Sequence, residues 1–172
     1  MFRRVRLLFA VVSLLALFAV AAPPAITTHA AATHAVGKRI TISLSRERLR
    51  AWDGNRVVLS TPITSGDRLL PTPTGIYTVF AKRSPYTFVS PWPRSSRFWY
   101  PNSTVSFALE FRGGGYFIHD APWRGVYGHG SNSGTQPGTD YGGTHGCVNV
   151  PYNAARFLYF WAPMGTRVHI VR

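Results

Sequence analysis

The sequence predicts a mainly β domain, a sandwich or barrel, with one short helix towards its C-terminal end. Three observations point there. Short runs alternating apolar and polar residues recur from residue 38 onward, the period of half-buried strands. Gly, Asn, Asp and Pro turn signals separate those runs. No strand–helix–strand rhythm of the kind that builds parallel sheets is present.

The order of elements follows from the same rules. Lys38-Arg39-Ile40-Thr41-Ile42-Ser43-Leu44 alternates cleanly and reads as a first strand. Arg46 to Trp52 continues as a second, with Leu49 and Ala51 set against Arg48 and Arg50. Asp53-Gly54-Asn55 is a turn signal before a third strand, Arg56 to Ser60. Thr61 to Gly66 stays extended, Asp67 to Thr74 is a loop holding Pro71 and Pro73, and Gly75 to Lys82 is again strand-like. Ser84 to Ser103 is irregular, with four prolines and the rings of Tyr86, Phe88, Trp92, Phe98, Trp99 and Tyr100. Large aromatics are mostly buried, so these are expected in core and rim packing, with a substrate wall as the other use. Val105 to Phe111 and Gly115 to His119 form two strands about an Arg112-Gly113-Gly114 turn. Gly125 to Gly143 is Gly-, Ser- and Thr-rich without any apolar period. A loop of that length is a lid, a groove wall or an inert insertion. Pro151 to Trp161 is the expected helix. Pro151 suits its first turn, and Ala154, Phe157, Leu158 and Trp161 form an apolar stripe. Thr166 to Val171 closes the chain as a strand.

Composition bounds the function. The chain has 172 residues, of which 45% are apolar, which argues against disorder. Its one cysteine excludes an internal disulfide. Residues 1–22 carry targeting features. Arg3, Arg4 and Arg6 precede an almost unbroken apolar run, Leu7 to Ala22, followed by small residues that suit cleavage. That run is about sixteen residues, short of the ~20 needed to span a bilayer. A cleaved signal is therefore expected, with a retained N-terminal anchor as the alternative. Residues 23–37, rich in Ala, Thr, Pro and His, read as a linker, and residues 38–172 as the domain. The formal charge is +13, or +10 without the three N-terminal arginines. Such a field attracts polyanions. For an exported chain these are anionic cell-wall polymers, peptidoglycan carboxylates and anionic lipid headgroups. Nucleic acid is not an expected partner, and membrane contact is expected only through an uncleaved N-terminal segment.

The chemistry concentrates in Gly142-Gly143-Thr144-His145-Gly146-Cys147-Val148-Asn149. A free thiol titrates near ~8.5 and needs local help to act as a nucleophile. Glycines let backbone N–H groups converge on one point, where an oxyanion can be held. A lone Cys is often only a small apolar filler. This one sits in a polar Gly-rich loop with a histidine two residues before it, in a chain that reads as exported. Metal binding is the competing chemistry. His29, His34 and His169 lie away from the loop, and His119, His129, His145 and Cys147 lack zinc-motif spacing. No cofactor or metal is expected.

Thr144 to Asn149 resembles the [S/T]HGCxN signature of the L,D-transpeptidase (YkuD-domain) family. Two further segments are similar to family motifs: Tyr116-Phe117-Ile118-His119-Asp120-Ala121-Pro122-Trp123 and Thr72-Pro73-Thr74-Gly75-Ile76-Tyr77. The resemblance runs from about Lys38 to Val171. It implies the β-sandwich-like catalytic fold, with one short helix after the Cys loop, and an exported enzyme of peptidoglycan synthesis. In that reading the Cys147 thiolate attacks a donor stem tetrapeptide and releases D-alanine. The acyl group then passes to an amine on a neighbouring stem as a 3→3 cross-link. Carbapenems are expected to acylate the same thiol.

For the base, strand-end context favours His119. The spacing usual in the family the chain resembles favours His129, which leaves fourteen residues before Thr144 where His119 leaves twenty-four. Loops absorb insertions at little cost, so context is given more weight. By the resemblance His145 shapes the loop and aids the oxyanion site, and the N–H groups of Gly146 and Cys147 hold the oxyanion. Asp120, where the family commonly has Gly or Ser, orients the imidazole through its carbonyl or its side chain. Thr144 and Asn149 brace the loop, and Tyr100 and Tyr77 are candidate groove residues. The helix dipole after Cys147 is expected to favour the thiolate. Two other functions use the same features: a cell-wall thiol carboxypeptidase or amidase, and a non-catalytic basic wall-binding module.

Overall fold

The computed structural model describes residues 37–134 and 142–172. The expected leader (1–22), nearly all of the linker (23–37) and residues 135–141 of the Gly-rich loop therefore lie outside the described residues. Three strands open the domain: β1 (Lys38–Ser43), β2 (Arg48–Asp53) and β3 (Arg56–Pro62). β4 (Gly75–Thr78), β5 (Ala81–Arg83), β6 (Tyr86–Phe88), β7 (Ser103–Val105) and β8 (Ala108–Arg112) follow. β9 (Tyr116–Asp120), β10 (Val148–Val150), helix α1 (Tyr152–Trp161) and β11 (Arg167–Val171) complete it.

The strands form a five-stranded sheet in the order β3-β2-β1-β11-β4, a four-stranded sheet in the order β10-β9-β8-β5, and a small β6-β7 ribbon. Alternation decides what each face meets. On the first sheet Ile40, Ile42, Leu49, Val168 and Ile170 point inward and are buried. They share one core with Leu109, Phe111, Ile118, Val148 and Val150 of the second sheet and with Ala154, Ala155 and Leu158 of α1. The other face of the second sheet carries Ala108 and Phe117, packed with Val105 beneath Tyr86 and Phe88 of the ribbon. The four-stranded sheet is thus covered on both sides, by the main core on one and by the aromatic segment on the other.

Three expected elements differ in detail. Gly75 to Lys82 is not one strand. At Val79 and Phe80 the chain leaves one sheet for the other, with Val79 N–H donating to the Thr166 carbonyl and Phe80 N–H to that of Glu110. Val105 to Phe111 is likewise cut at Ser106 and Phe107, whose N–H groups are taken by the Asp120 carboxylate at 3.0 and 2.7 Å. The second strand begins at Arg48, two residues late, because Glu47 takes a left-handed turn (φ 44°). In the helix, Ala155 joins Ala154 and Leu158 in the core. Phe157 and Trp161 stack on each other at 5.8 Å, half-buried.

Candidate active site

The second sheet assembles the site. β9 and β10 run parallel with Asn149 beside His119 and Val148 beside Ile118. Alternation puts Val148 and Ile118 in the core. It turns Cys147, Asn149, Phe117 and His119 to the opposite face, where all four line a cleft of about 530 Å³. Trp92, Tyr100 and Trp123 line the same cleft.

The Cys147 loop is held from behind. Thr144 N–H donates to the Ser65 carbonyl and Asp67 N–H to the Thr144 carbonyl, at 2.9 and 3.1 Å. Thr144 Oγ1 donates to the Cys147 carbonyl at 2.6 Å and accepts the Gly146 N–H at 3.0 Å. Thr72 Oγ1, from the TPTG segment, donates to the Gly146 carbonyl at 3.0 Å. Gly146 sits at φ 107°, and a Cβ there would lie 2.7 Å from the Tyr116 ring. Gly146→Ala therefore combines backbone strain with a ring clash, and is expected to cost about 1–3 kcal/mol along with thiol reactivity. A melting curve and a labelling assay check this; wild-type values in both would contradict the packing described.

His119 is 3% exposed. Its Nδ1 lies 2.6 Å from the Asp120 carbonyl and its Nε2 lies 3.0 Å from Asn149 Nδ2. A carbonyl only accepts, so Nδ1 carries the proton and Nε2 keeps its lone pair, receiving the Asn149 amide N–H. Burial pushes the ring down to about 4, and the Arg124 charge adds to this against the opposing pull of Asp120. The imidazole is therefore neutral at pH 7. Of the two ways Asp120 was expected to act, the carbonyl is the one that holds the ring. Its carboxylate caps the β7–β8 junction instead.

Cys147 donates its thiol proton to the Gly115 carbonyl at 3.3 Å. Burial pushes it up to about 12, Glu110 adds to this, and the Phe117 backbone N–H opposes it. The resting pair is thus thiol and neutral imidazole. β10 intervenes between Cys147 and α1, about 10 Å at ~3.3 Å per residue. Dipole effects fade beyond the terminal turn, so the expected help from the helix does not reach the thiol.

The remaining expected residues divide. His145 is half-buried between the rings of Trp92 (5.3 Å) and Tyr100 (4.9 Å), and burial lowers its pKa. It ties the aromatic segment to the Cys147 loop. Tyr100 is in the cleft; burial and then the neighbouring Cys147 push its phenol up to about 12. Tyr77 is not in the cleft. Its hydroxyl donates to the Thr74 carbonyl at 2.9 Å and its ring packs on Phe111 at 5.5 Å. His129 is exposed and lies outside the cleft, because the chain turns back after Asp120 and Gly128 N–H bonds the Ile63 carbonyl at 2.8 Å. The Gly146 N–H, expected at an oxyanion, is used inside the loop by Thr144. Among the described residues no three His, Cys, Asp or Glu side chains gather as a metal site requires.

Comparison with known proteins decides the family. The family model described as the L,D-transpeptidase catalytic domain (YkuD) matches residues 37–170. The chain belongs to the L,D-transpeptidase catalytic-domain family. The L,D-transpeptidase from Mycobacterium smegmatis superposes with a TM-score of 0.65 at 24% identity, over 79% of this chain and 59% of that one. A cysteine-to-serine mutant of the Enterococcus faecium L,D-transpeptidase gives 0.67 at 25%, over 78% and 50%. This chain thus spans between half and three-fifths of those two. The isolated E. faecium catalytic domain gives 0.64 at 26% identity, over 78% of this chain and 96% of that domain. Comparison with curated proteins gave no match.

Within this L,D-transpeptidase domain two functional residues escaped the sequence reading. Arg124, only 6% exposed, donates from Nε to Asn149 Oδ1 at 3.3 Å and from Nη2 to the Gly142 carbonyl at 2.8 Å. By occupying Oδ1 it turns the amide N–H of Asn149 towards His119. Arg124→Met is expected to slow thiol acylation about tenfold or more through misplacement of the ring, read in single-turnover kinetics. An unchanged rate would show that Asn149 needs no such support. Glu47, 1% exposed, accepts the Ser65 N–H at 2.7 Å, the Ser65 hydroxyl, and Asn132 Nδ2 at 3.0 Å. A charge adjoining a family motif was the only signal for Arg124. Glu47 gave none, since it reads as an ordinary hairpin-turn acid.

Proposed function

We propose that this domain is a peptidoglycan L,D-transpeptidase exported to the cell wall or the outer face of the cytoplasmic membrane. The observation that carries the reading is the shared cleft of Cys147 and His119, with the unprotonated ring nitrogen at Nε2, where its lone pair accepts the Asn149 amide N–H. Cys147 gives up its hydrogen bond to Gly115, the Asn149 amide N–H releases Nε2, and the thiol proton passes to the lone pair so freed. The sulfur attacks the carbonyl of the diamino-acid residue in a donor stem tetrapeptide. The Cys147 N–H is the loop donor left for the oxyanion, since that of Gly146 is spent on Thr144. Collapse of the tetrahedral intermediate expels D-alanine, which takes the proton from His119, and leaves a thioester. An amine on a neighbouring stem then attacks the thioester and releases the thiol. Water as acceptor would give a carboxypeptidase from the same steps. Trp92, Tyr100 and Trp123 form an aromatic wall for the stem, and no cofactor enters.

The test is intact mass after incubation with a carbapenem and, separately, with a tetrapeptide stem. A covalent adduct and D-alanine release, both lost in Cys147→Ala, are expected. A folded protein giving neither would overturn the reading and favour a wall-binding module.

A further inference from the structure

We propose that the outer face of the five-stranded sheet docks on an anionic phospholipid surface. This goes beyond the acyl-transfer reading and does not depend on it.

Strand alternation gathers the charge. With Ile40, Ile42, Leu49, Val168 and Ile170 turned into the core, Arg39, Arg48, Arg50, Arg167 and His169 fall together on the opposite face. Register makes them neighbours. Arg39 lies beside Arg167, while Thr41 lies between Arg50 on one side and His169 on the other. Like charges on adjacent strands oppose folding, and among the described residues no acid on this face offsets them. Of the described acids, Glu47, Asp67 and Asp120 are buried, and Glu110 is on the other sheet, paired with Arg83 at 3.6 Å. Asp53 stands at the end of β2. Among the described residues that ion pair is the only one.

The face also carries exposed apolar groups among its cations. Ile76 is 66% exposed, and Val57 and Val171 are each 41% exposed. Ile76 lies beside His169, and Val57 lies beside Trp52. Trp52 itself is half-buried, under the Arg39 guanidinium at 4.7 Å, with its Nε1–H on Thr41 Oγ1 at 2.9 Å. Cations that reach phosphates, mixed with aliphatic groups that enter the headgroup zone, suit an anionic bilayer better than a soluble polyanion. Position agrees. The cleft opens on the far face of the other sheet, so a docked domain keeps it clear.

The test is co-sedimentation of the full chain with phosphatidylcholine vesicles containing or lacking phosphatidylglycerol, at low and at high salt. Arg50→Glu/Arg167→Glu is expected to weaken the phosphatidylglycerol-dependent part at least tenfold, at ~1 kcal/mol per basic residue near a charged membrane. Arg50→Gln/Arg167→Gln should weaken it less, and both should keep the wild-type melt and thiol acylation. Arg68→Glu/Arg156→Glu makes the same charge change away from this face. If that control weakens binding equally, the effect is net charge and the proposal fails. It fails too if binding ignores phosphatidylglycerol, or if only a soluble phosphodiester polymer depends on Arg50 and Arg167.

Discussion

Replacement of His119 by alanine is expected to slow acylation of Cys147 by about 10²–10⁴-fold, while His129→Ala stays within about twofold of wild type. The thiol is held near 12 by burial and cannot ionise unaided at neutral pH. A base must remove the proton as the bond to carbon forms, and His119 is the buried imidazole of the cleft whose unprotonated nitrogen, Nε2, is set by its Asp120 and Asn149 partners. The pH profile follows from the same groups. His119 acts only when neutral, and its pKa is lowered from 6.5 to about 4. Acylation should therefore hold from neutral pH down to about 5 and fall with an acid limb near 4, not near 6.5. Stability follows the same sign. The unfolded histidine binds protons that the folded one refuses, so its contribution is complete above about 6.5 and is lost as pH falls through about 4. A rate that falls with a midpoint near 6.5, or that drops in His129→Ala, would count against His119 as the base.

Glu47→Leu is expected to lower stability by about 2–4 kcal/mol, the scale for leaving several buried donors without an acceptor. The carboxylate takes the Ser65 N–H, the Ser65 hydroxyl and the Asn132 amide. Ser65 in turn offers its carbonyl to the Thr144 N–H. A hairpin turn is thereby fastened to the nucleophile loop, and acylation should fall along with stability. Glu47→Gln keeps one acceptor oxygen and should cost much less. Burial raises the Glu47 pKa, so any stability its protonation contributes is present at low pH and lost as pH rises through the folded pKa. The glutamine variant removes that dependence. Chemical denaturation of both variants at pH 5 and pH 8 measures this, and a leucine variant as stable as wild type would mean the network holds nothing.

Much of the fold was legible in short windows. Alternation located β1, β2 and β11 because each has one face in the core and one in water. The helix was legible from Pro151 and the spacing of Ala154 and Leu158. The breaks at Val79–Phe80 and Ser106–Phe107 were not, because both stretches keep a strand-like composition. What interrupts them is distant: the Thr166 and Glu110 carbonyls in one case and the Asp120 carboxylate in the other.

The site divides in the same way. Sequence alone determined which residues are candidates for the chemistry: the single thiol, its Gly-flanked loop, and a short set of histidines that includes His119, His129 and His145. Tertiary structure separates their positions. His119 and His129 differ by ten positions and look alike as bases, but the β9–β10 pairing places only His119 in the cleft with Cys147. It also decided that the Asp120 carbonyl, not its carboxylate, meets the His119 ring, that Tyr77 packs on Phe111, and that Arg124 stands behind Asn149. The reason is physical. A residue's type fixes what it can donate, accept or ionise. Which partner it meets, and how far it is desolvated, depends on strands brought together from distant parts of the chain.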